Sequence, residues 1–135
     1  MSRILVDSSF LVALFRKDDL NHSYAIENKD YLNNSCFITN LVISEVLTVL
    51  AMKTEDMDLV NLAFNYMNDN FNLLKEFHMH NFNYYVFSLF SKVNNEKYNL
   101  SFVDASLVYL SDMHGLKLLT FDDGFKKVDG IDLVL

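Results

Sequence analysis

Apolar residues along this chain form two kinds of segment, short continuous runs and longer stretches with helical spacing. The short runs predict buried β-strands. They cover residues 4–6, 36–39, 71–77, 117–121 and 131–135. The first run stops at Asp7 and the fourth leads into Asp122 and Asp123, so two of the predicted strands end on carboxylates.

The longer stretches carry apolar residues three or four positions apart, as in helices with one buried face. They predict helices over residues 10–15, 22–32, 41–53, from 54 onward, 80–93 and between Ser101 and Gly115. Asn40 is expected to cap the helix over 41–53. Strands that alternate with helices favour an α/β fold, with a mostly parallel sheet covered on both faces.

Residues 99–125 carry the clearest signals for the ends of elements. Ser101 is a favourable N-cap, and Asp104 lies three residues on, in the first helical turn. Gly115 suits the helix C-terminus. Because sites in α/β proteins form where strands end and helices begin, we expect Asp104 and Asp122 to be aimed at one place.

Length and composition favour a single domain, residues 1–135. The chain has 135 residues, of which 51% are apolar, and it contains no proline. Such a chain can bury a core of its own. Cys36 is the only cysteine, which excludes an intramolecular disulfide and fits a reducing cytoplasm. No apolar run approaches the roughly 20 residues that span a membrane, so no membrane association is expected.

The net charge of −7 argues against a protein that binds nucleic acid by broad neutralisation of phosphates. It does not exclude a nuclease whose acidic cluster holds divalent cations, because such cations reverse the local sign of the charge.

Four of the 18 acidic residues interrupt apolar sequence instead of lying in polar segments. They are Asp7, Glu45, Asp104 and Asp122. Each has a local explanation: a strand-end turn for the first, a solvent-facing helix edge for the second, a capping box for the third and a turn for the fourth. Unpaired buried carboxylates are costly, however, and Mg²⁺ or Mn²⁺ prefers carboxylate and water oxygens. The coincidence of four therefore favours a metal site.

In order and spacing these segments resemble the PIN domain and, within it, the small toxin-like nucleases of the VapC type. The resemblance covers essentially the whole chain. It rests on ILVDSSFLVALF near the N-terminus, TNLVISEVLTVL in the middle, and LSFVDASLVYLSDMHGLKLLTFD with a T-x-D-x-x-F ending.

This resemblance implies a three-layer α/β/α fold with a central, mostly parallel sheet. It also implies a metal-dependent ribonuclease in which metal-activated water cuts an RNA phosphodiester, leaving a 5′-phosphate and a 3′-hydroxyl. Asp7, Asp104 and Asp122 would bind Mg²⁺ or Mn²⁺ directly or through water. Glu45 would be a further ligand or would orient a metal-bound water.

The resemblance also implies supporting residues around this acidic set. Ser8 and Thr120 match hydroxyl positions that support the cluster, and Phe125 matches a closing aromatic that packs. Asp123 is adjacent to the motif acid and is expected to point to the opposite face of the strand.

By the same resemblance the protein would be a homodimer that is inhibited by a small cognate antitoxin. The loop over 16–21 and the helical middle, 55–93, are the expected dimer or antitoxin surfaces. Core packing is the expected use of most aromatic side chains in that middle.

Other functions remain open beside the toxin. One is a PIN-domain nuclease for RNA processing, and another is a catalytically inactive binding module. All four acids are retained, which disfavours the inactive module because a dead site would not need to tolerate their repulsion. A haloacid-dehalogenase-like phosphatase is disfavoured because it needs a second Asp where Ser9 stands.

Overall fold

The computed structural model describes residues 2–96 and 99–135 and shows a four-stranded parallel sheet flanked by helices. The strands are β1 (Arg3–Val6), β2 (Ser35–Ile38), β3 (Asn72–Leu73) and β4 (Lys117–Leu119), in the order β3-β2-β1-β4. The predicted α/β class with a parallel sheet is therefore confirmed.

The helices pack in two groups. They are α1 (Ser8–Phe15), α2 (His22–Glu27), α3 (Asn40–Thr54), α4 (Met57–Asn70), α5 (Phe82–Asn95) and α6 (Phe102–His114). Helix α1 contacts α2 and α3, α3 contacts α4, and α5 packs against α6. Short 3-10 helices lie at Lys29–Asn33, Glu76–His78 and Asp123–Lys127. Among the residues described, no helix has the length and apolarity to cross a membrane.

Strand β1 is the centre of the sheet. Leu5 pairs with Phe37 of β2 on one side and with Leu118 of β4 on the other. Ile4, Leu5 and Leu118 are almost fully buried. Continuous apolar runs of this kind are expected where helices cover both faces of a parallel sheet.

The chain reverses its direction of travel across the sheet between β1 and β4. From β1 it continues to β2 and β3 on one side and then returns to β4 on the other side. The place between β1 and β4 where the strand order reverses is the switch point of the sheet. In open α/β sheets ligands bind there, outside the carboxyl ends of the strands. Helix α3 begins directly after β2, and α6 runs back towards the start of β4, so both helices begin at this edge.

The predicted caps are confirmed at α6 and wrong at α3. Ser101 and Asp104 form a capping box, and Gly115 ends α6 in the left-handed conformation with φ 64°. At α3 the cap is Thr39, whose hydroxyl accepts the N–H of Val42 at 3.1 Å. Thr39 has the extended backbone that an N-cap needs, whereas Asn40 is already in the helix.

Two helix boundaries differ by three residues or more from those predicted. The helix expected over 22–32 ends at Glu27 and continues as a 3-10 helix, because the polar residues from Asn28 onward lack helical apolar spacing. The helix expected from Thr54 begins only at Met57. Glu55 ends α3 in the left-handed conformation, and Asp56 caps α4 by accepting the N–H groups of Asp58 and Leu59.

The outer strands are shorter than predicted. The strand expected over 71–77 is only Asn72–Leu73, because Lys75 turns the chain with φ 52°. The strand expected over 131–135 is reduced to one parallel bridge between Leu133 and Leu118. It borders β4 alone, so no second neighbour extends its pairing.

Glu76 is a fully buried carboxylate that fixes the start of α3. Its Oε1 accepts the backbone N–H of Asn40 at 2.9 Å and the side-chain amide at 2.7 Å, and its Oε2 accepts the N–H of Leu41 at 3.0 Å. These N–H groups have no partner within the helix, and the helix dipole favours a negative charge there. Glu76 therefore anchors the helix that carries Glu45.

The replacement Glu76→Gln should destabilise the protein by roughly 1–3 kcal/mol, because it weakens charge-assisted hydrogen bonds and turns an amide N–H toward buried donors. Urea unfolding should show a lower midpoint with an unchanged slope. The exposed Glu27→Gln should leave the midpoint within experimental error. Equal midpoints for the Glu76→Gln variant and the wild type would contradict the anchoring role.

Candidate active site

Asp7 lies directly after β1 and is buried, with 4% of its surface exposed. Its Oδ1 accepts the backbone N–H of Ser8 at 2.8 Å, which caps α1. Its Oδ2 accepts hydroxyl hydrogens from Ser9 at 2.9 Å and from Thr120 at 2.6 Å. The carboxylate is therefore held from both sides of the switch point.

The hydroxyl groups of Ser9 and Thr120 tie the loop after β4 to the start of α1. Their oxygens lie 3.1 Å apart. Ser9 accepts the N–H of Phe121 at 3.0 Å, and Thr120 accepts the N–H of Asp122 at 3.0 Å. The predicted support from Thr120 is visible in this geometry. Sequence reasoning assigned no such role to Ser9, although the Asp-Ser-Ser run was a signal for it.

Glu45 lies in the second turn of α3, where its carboxylate Oε1 accepts the hydroxyl hydrogen of Ser8. The Ser8 oxygen is also 3.5 Å from Oδ1 of Asp7. Ser8 therefore lies between two acids that are distant in sequence. Glu45 is exposed at the helix edge and still accepts the hydroxyl hydrogen of Ser8. Its solvent-facing position therefore does not separate it from Asp7 and Ser8.

Asp104 and Asp122 each cap a helix at the same edge. Asp104 is half-buried, and its Oδ2 accepts the N–H of Ser101 at 3.3 Å. Asp122 is exposed, and its Oδ1 accepts the N–H of Gly124 at 2.8 Å. The expectation that all four acids lose their hydration is wrong for Glu45 and Asp122, because both remain at the surface.

The acids nevertheless act on one another electrostatically. Burial, together with the smaller effect of the negative charges of Asp7 and Asp122, raises the pKa of Asp104 to about 6. Burial also raises the pKa of Asp7, despite its hydrogen bonds, and the charge of Glu45 raises it further. The four acids therefore share one region of negative potential.

Asp123 is directed to a different partner. Its Oδ1 lies 2.9 Å from Nζ of Lys126, and both side chains are exposed. Within residues 2–96 and 99–135 this is the one ion pair found, so no lysine or arginine there neutralises Asp7, Glu45, Asp104 or Asp122. Asp123 does not join the hydrogen bonds around Asp7.

The donor set fits a hard divalent cation that keeps part of its water shell. It consists of carboxylate and hydroxyl oxygens, with no ion pair to a lysine or arginine among residues 2–96 and 99–135. In the described part of the chain, no three His, Cys, Asp or Glu side chains lie close enough to hold an ion together. Mg²⁺ is usually bound by one or two carboxylates and several waters, so it does not require a close group of three acids.

The PIN domain family matches residues 4–131 of this sequence. A comparison with curated protein sequences found no match. Solved structures, in contrast, share the fold of this chain.

Three solved structures show the same fold. VapC20 of Mycobacterium tuberculosis, described as a sarcin–ricin loop cleaving toxin, has a TM-score of 0.77 at 20% identity over 96% of this chain and 98% of that chain. VapBC2 of Rickettsia felis, bound to promoter DNA, has 0.74 at 12% identity over 97% and 96%. DNA-bound VapBC of Salmonella typhimurium has 0.74 at 12% over 98% and 97%.

The family match spans nearly the whole chain. The fold agrees with it, and so does the acidic edge, the sheet edge at the switch point that carries Asp7, Glu45, Asp104 and Asp122. The chain belongs to the PIN domain family.

Proposed function

We propose that this protein is an endoribonuclease that needs Mg²⁺ or Mn²⁺ and serves as the toxin of a VapBC-type toxin–antitoxin pair. The observation that carries the proposal is the negative charge at the switch point, which no ion pair of the described residues compensates and where Asp104 has a pKa raised to about 6. Like charges that lie close together disfavour one another's ionised form, and this opposes folding at neutral pH. A divalent cation would remove the repulsion.

Asp7, Asp104 and Asp122 would hold the ion directly or through water, and Glu45 would be a further ligand or orient a water. When bound, the ion supplies positive charge for the phosphodiester oxygens and activates the attacking water. Hydrolysis then forms a bond from the water oxygen to phosphorus and breaks the bond to the 3′ oxygen. The products carry a 5′-phosphate and a 3′-hydroxyl.

The role of this chain's hydroxyl groups is to position the acids. Ser9 and Thr120 donate to one oxygen of Asp7, so its carboxylate plane is set by groups from both strand ends. Ser8 donates to Glu45 and so orients it toward the same edge. Supporting groups of this kind typically change metal affinity or activity by about 10–100-fold.

The toxin role is supported by the structural neighbours, which are described as a toxin and as VapBC complexes.

The expectation that most aromatic side chains in the helical middle pack in the core is wrong. Of the seven aromatic residues on α4 and α5, four are exposed: Phe64, Tyr84, Tyr85 and Phe87. Exposed apolar groups on α4 and α5 suit a protein partner, either an antitoxin or a second copy of this chain. A small open reading frame beside the gene, encoding a DNA-binding protein, would favour the toxin over an RNA-processing nuclease.

Burial and, to a smaller extent, repulsion by Asp7 and Asp122 raise the pKa of Asp104, which predicts a pH-dependent gain in stability from Asp104→Asn in metal-free buffer. The folded state raises the pKa of Asp104 from 3.8 to about 6, so folding favours its protonated form. Its stabilising contribution is present below pH 4 and is lost as the pH rises through about 6. The variant should therefore melt above the wild type at pH 7, and the difference should shrink toward zero at pH 4. A lower melting temperature for the variant at pH 7 would contradict the claim that ionised Asp104 destabilises the folded state.

Purified protein should cut single-stranded RNA in the presence of Mg²⁺ or Mn²⁺ and stop in chelator. Asp7→Asn and Asp104→Asn should each lower the rate by at least about 100-fold, the upper range for groups that only support ligands. Asp112→Asn, an exposed change on the same helix as Asp104, is the matched control and should cut normally. Cleavage in chelator, or full activity in both site variants, would refute the proposal.

Metal should also stabilise the folded protein without any RNA present. An ion at a hundredfold excess over its dissociation constant adds about 2.7 kcal/mol to the free energy of unfolding. The melting temperature should rise with millimolar Mg²⁺ or Mn²⁺ in the wild type and in Asp112→Asn, and should rise little in Asp104→Asn. An unchanged melting temperature in the wild type would favour the inactive binding module.

A further inference from the structure

A cleft of about 270 Å³ opens directly beside the acidic edge, and the acidic edge itself forms part of its wall. Thr120 and Asp122 line it together with Asn21, Phe121, Lys126 and the Lys126 partner Asp123. The hydroxyl of Thr120 also contacts the carboxylate of Asp7. Whatever occupies the cleft therefore lies next to the groups proposed to act on the phosphodiester.

Lys126 is the positive group of this cleft. Its ammonium is 2.9 Å from Asp123, but the lysine side chain is 63% exposed and the carboxylate 85% exposed. Exposed ion pairs of this kind contribute little, so the ammonium can exchange its partner for a phosphate at small cost. Asn21 adds an amide whose side chain does not cap α2.

Phe121 provides a flat apolar wall that is held in place from behind. Its ring stacks on the fully buried Phe10, with centroids 5.2 Å apart and planes 20° from parallel. Its backbone N–H is fixed by Ser9 at 3.0 Å. Phe121 itself is only half-buried. Bases of single-stranded nucleic acid stack on aromatic side chains presented in this way.

We infer that this cleft binds the nucleotide next to the scissile bond of a single-stranded RNA, with its phosphate on Lys126 and its base against Phe121. The inference rests on the proposed ribonuclease function. It assigns to Lys126 and Phe121 a role in substrate binding and none in the chemical step. It also explains how a chain with a net charge of −7 can hold a polyanion, by placing one cation where the substrate enters the site.

Steady-state cleavage of a short single-stranded RNA at several salt concentrations tests this role. Lys126→Gln should raise KM roughly 3- to 10-fold and leave kcat unchanged, and the dependence of log KM on log salt should fall by about 0.7, the value for one phosphate of a single strand. Phe121→Leu keeps an apolar side chain over Phe10 but removes the stacking face. It should raise KM at least about 5-fold without changing the salt dependence.

Two matched variants separate phosphate binding from other effects of charge. Lys127→Gln removes a charge from the adjacent residue, which does not line the cleft, and should behave as wild type. Asp123→Asn breaks the same ion pair but keeps Lys126, so KM should stay the same or fall. If Asp123→Asn raised KM as much as Lys126→Gln does, the loss of the ion pair would explain both effects. That result would refute phosphate binding by Lys126.

The possible failures are distinct. If the wild type cuts RNA while Lys126→Gln keeps its KM and salt dependence, the substrate cleft is refuted and the ribonuclease stands. Equal losses in Lys126→Gln and Lys127→Gln would indicate diffuse attraction and would also refute it. If the wild type cuts no RNA with either metal, the proposed function itself fails.

Discussion

The hydrogen bonds that converge on the buried carboxylate of Asp7 hold the acidic edge together. One oxygen caps α1, and the other accepts from Ser9 after β1 and from Thr120 after β4. The same hydroxyls accept the backbone N–H groups of the loop that carries Asp122. A charge removed from water requires such partners. In satisfying it, the chain also fixes the two strand ends on either side of the switch point.

The ionised acids around Asp7 lower the stability of the folded protein. The pKa of Asp104 is raised by burial and by the charges of Asp7 and Asp122, so the ionised, metal-free edge opposes folding at neutral pH. Among the residues that the structure describes, no lysine or arginine pairs with these acids, and Lys126 is paired with Asp123 at the rim. Groups with strongly perturbed pKa values are concentrated at functional sites. The arrangement is consistent with a bound divalent ion and with a polyanionic substrate.

Local and site roles coincide in several residues, and this is why the sequence could be interpreted in two ways. Asp104 completes a capping box with Ser101, as its local pattern predicts, and its charge also acts on Asp7. Asp122 caps a 3-10 helix and lines the cleft. A cap places a carboxylate at the start of a helix, and in this fold the starts of α3 and α6 lie where the strands end. The helix caps and the site therefore need the same positions.

The sequence by itself determined the strands at the sheet centre, most helices, the capping box of α6 and the acids at the strand ends, because these depend on periodicity and on neighbours within a few residues. Only the tertiary structure decided the roles of Glu76 and Ser9 and the shortness of the outer strands. Glu76 meets the start of α3 across 36 residues, and Ser9 meets Thr120 across 111. The tertiary structure also showed that Glu45 and Asp122 stay exposed. Contacts between distant segments set burial and hydrogen-bond partners, and no local pattern encodes them.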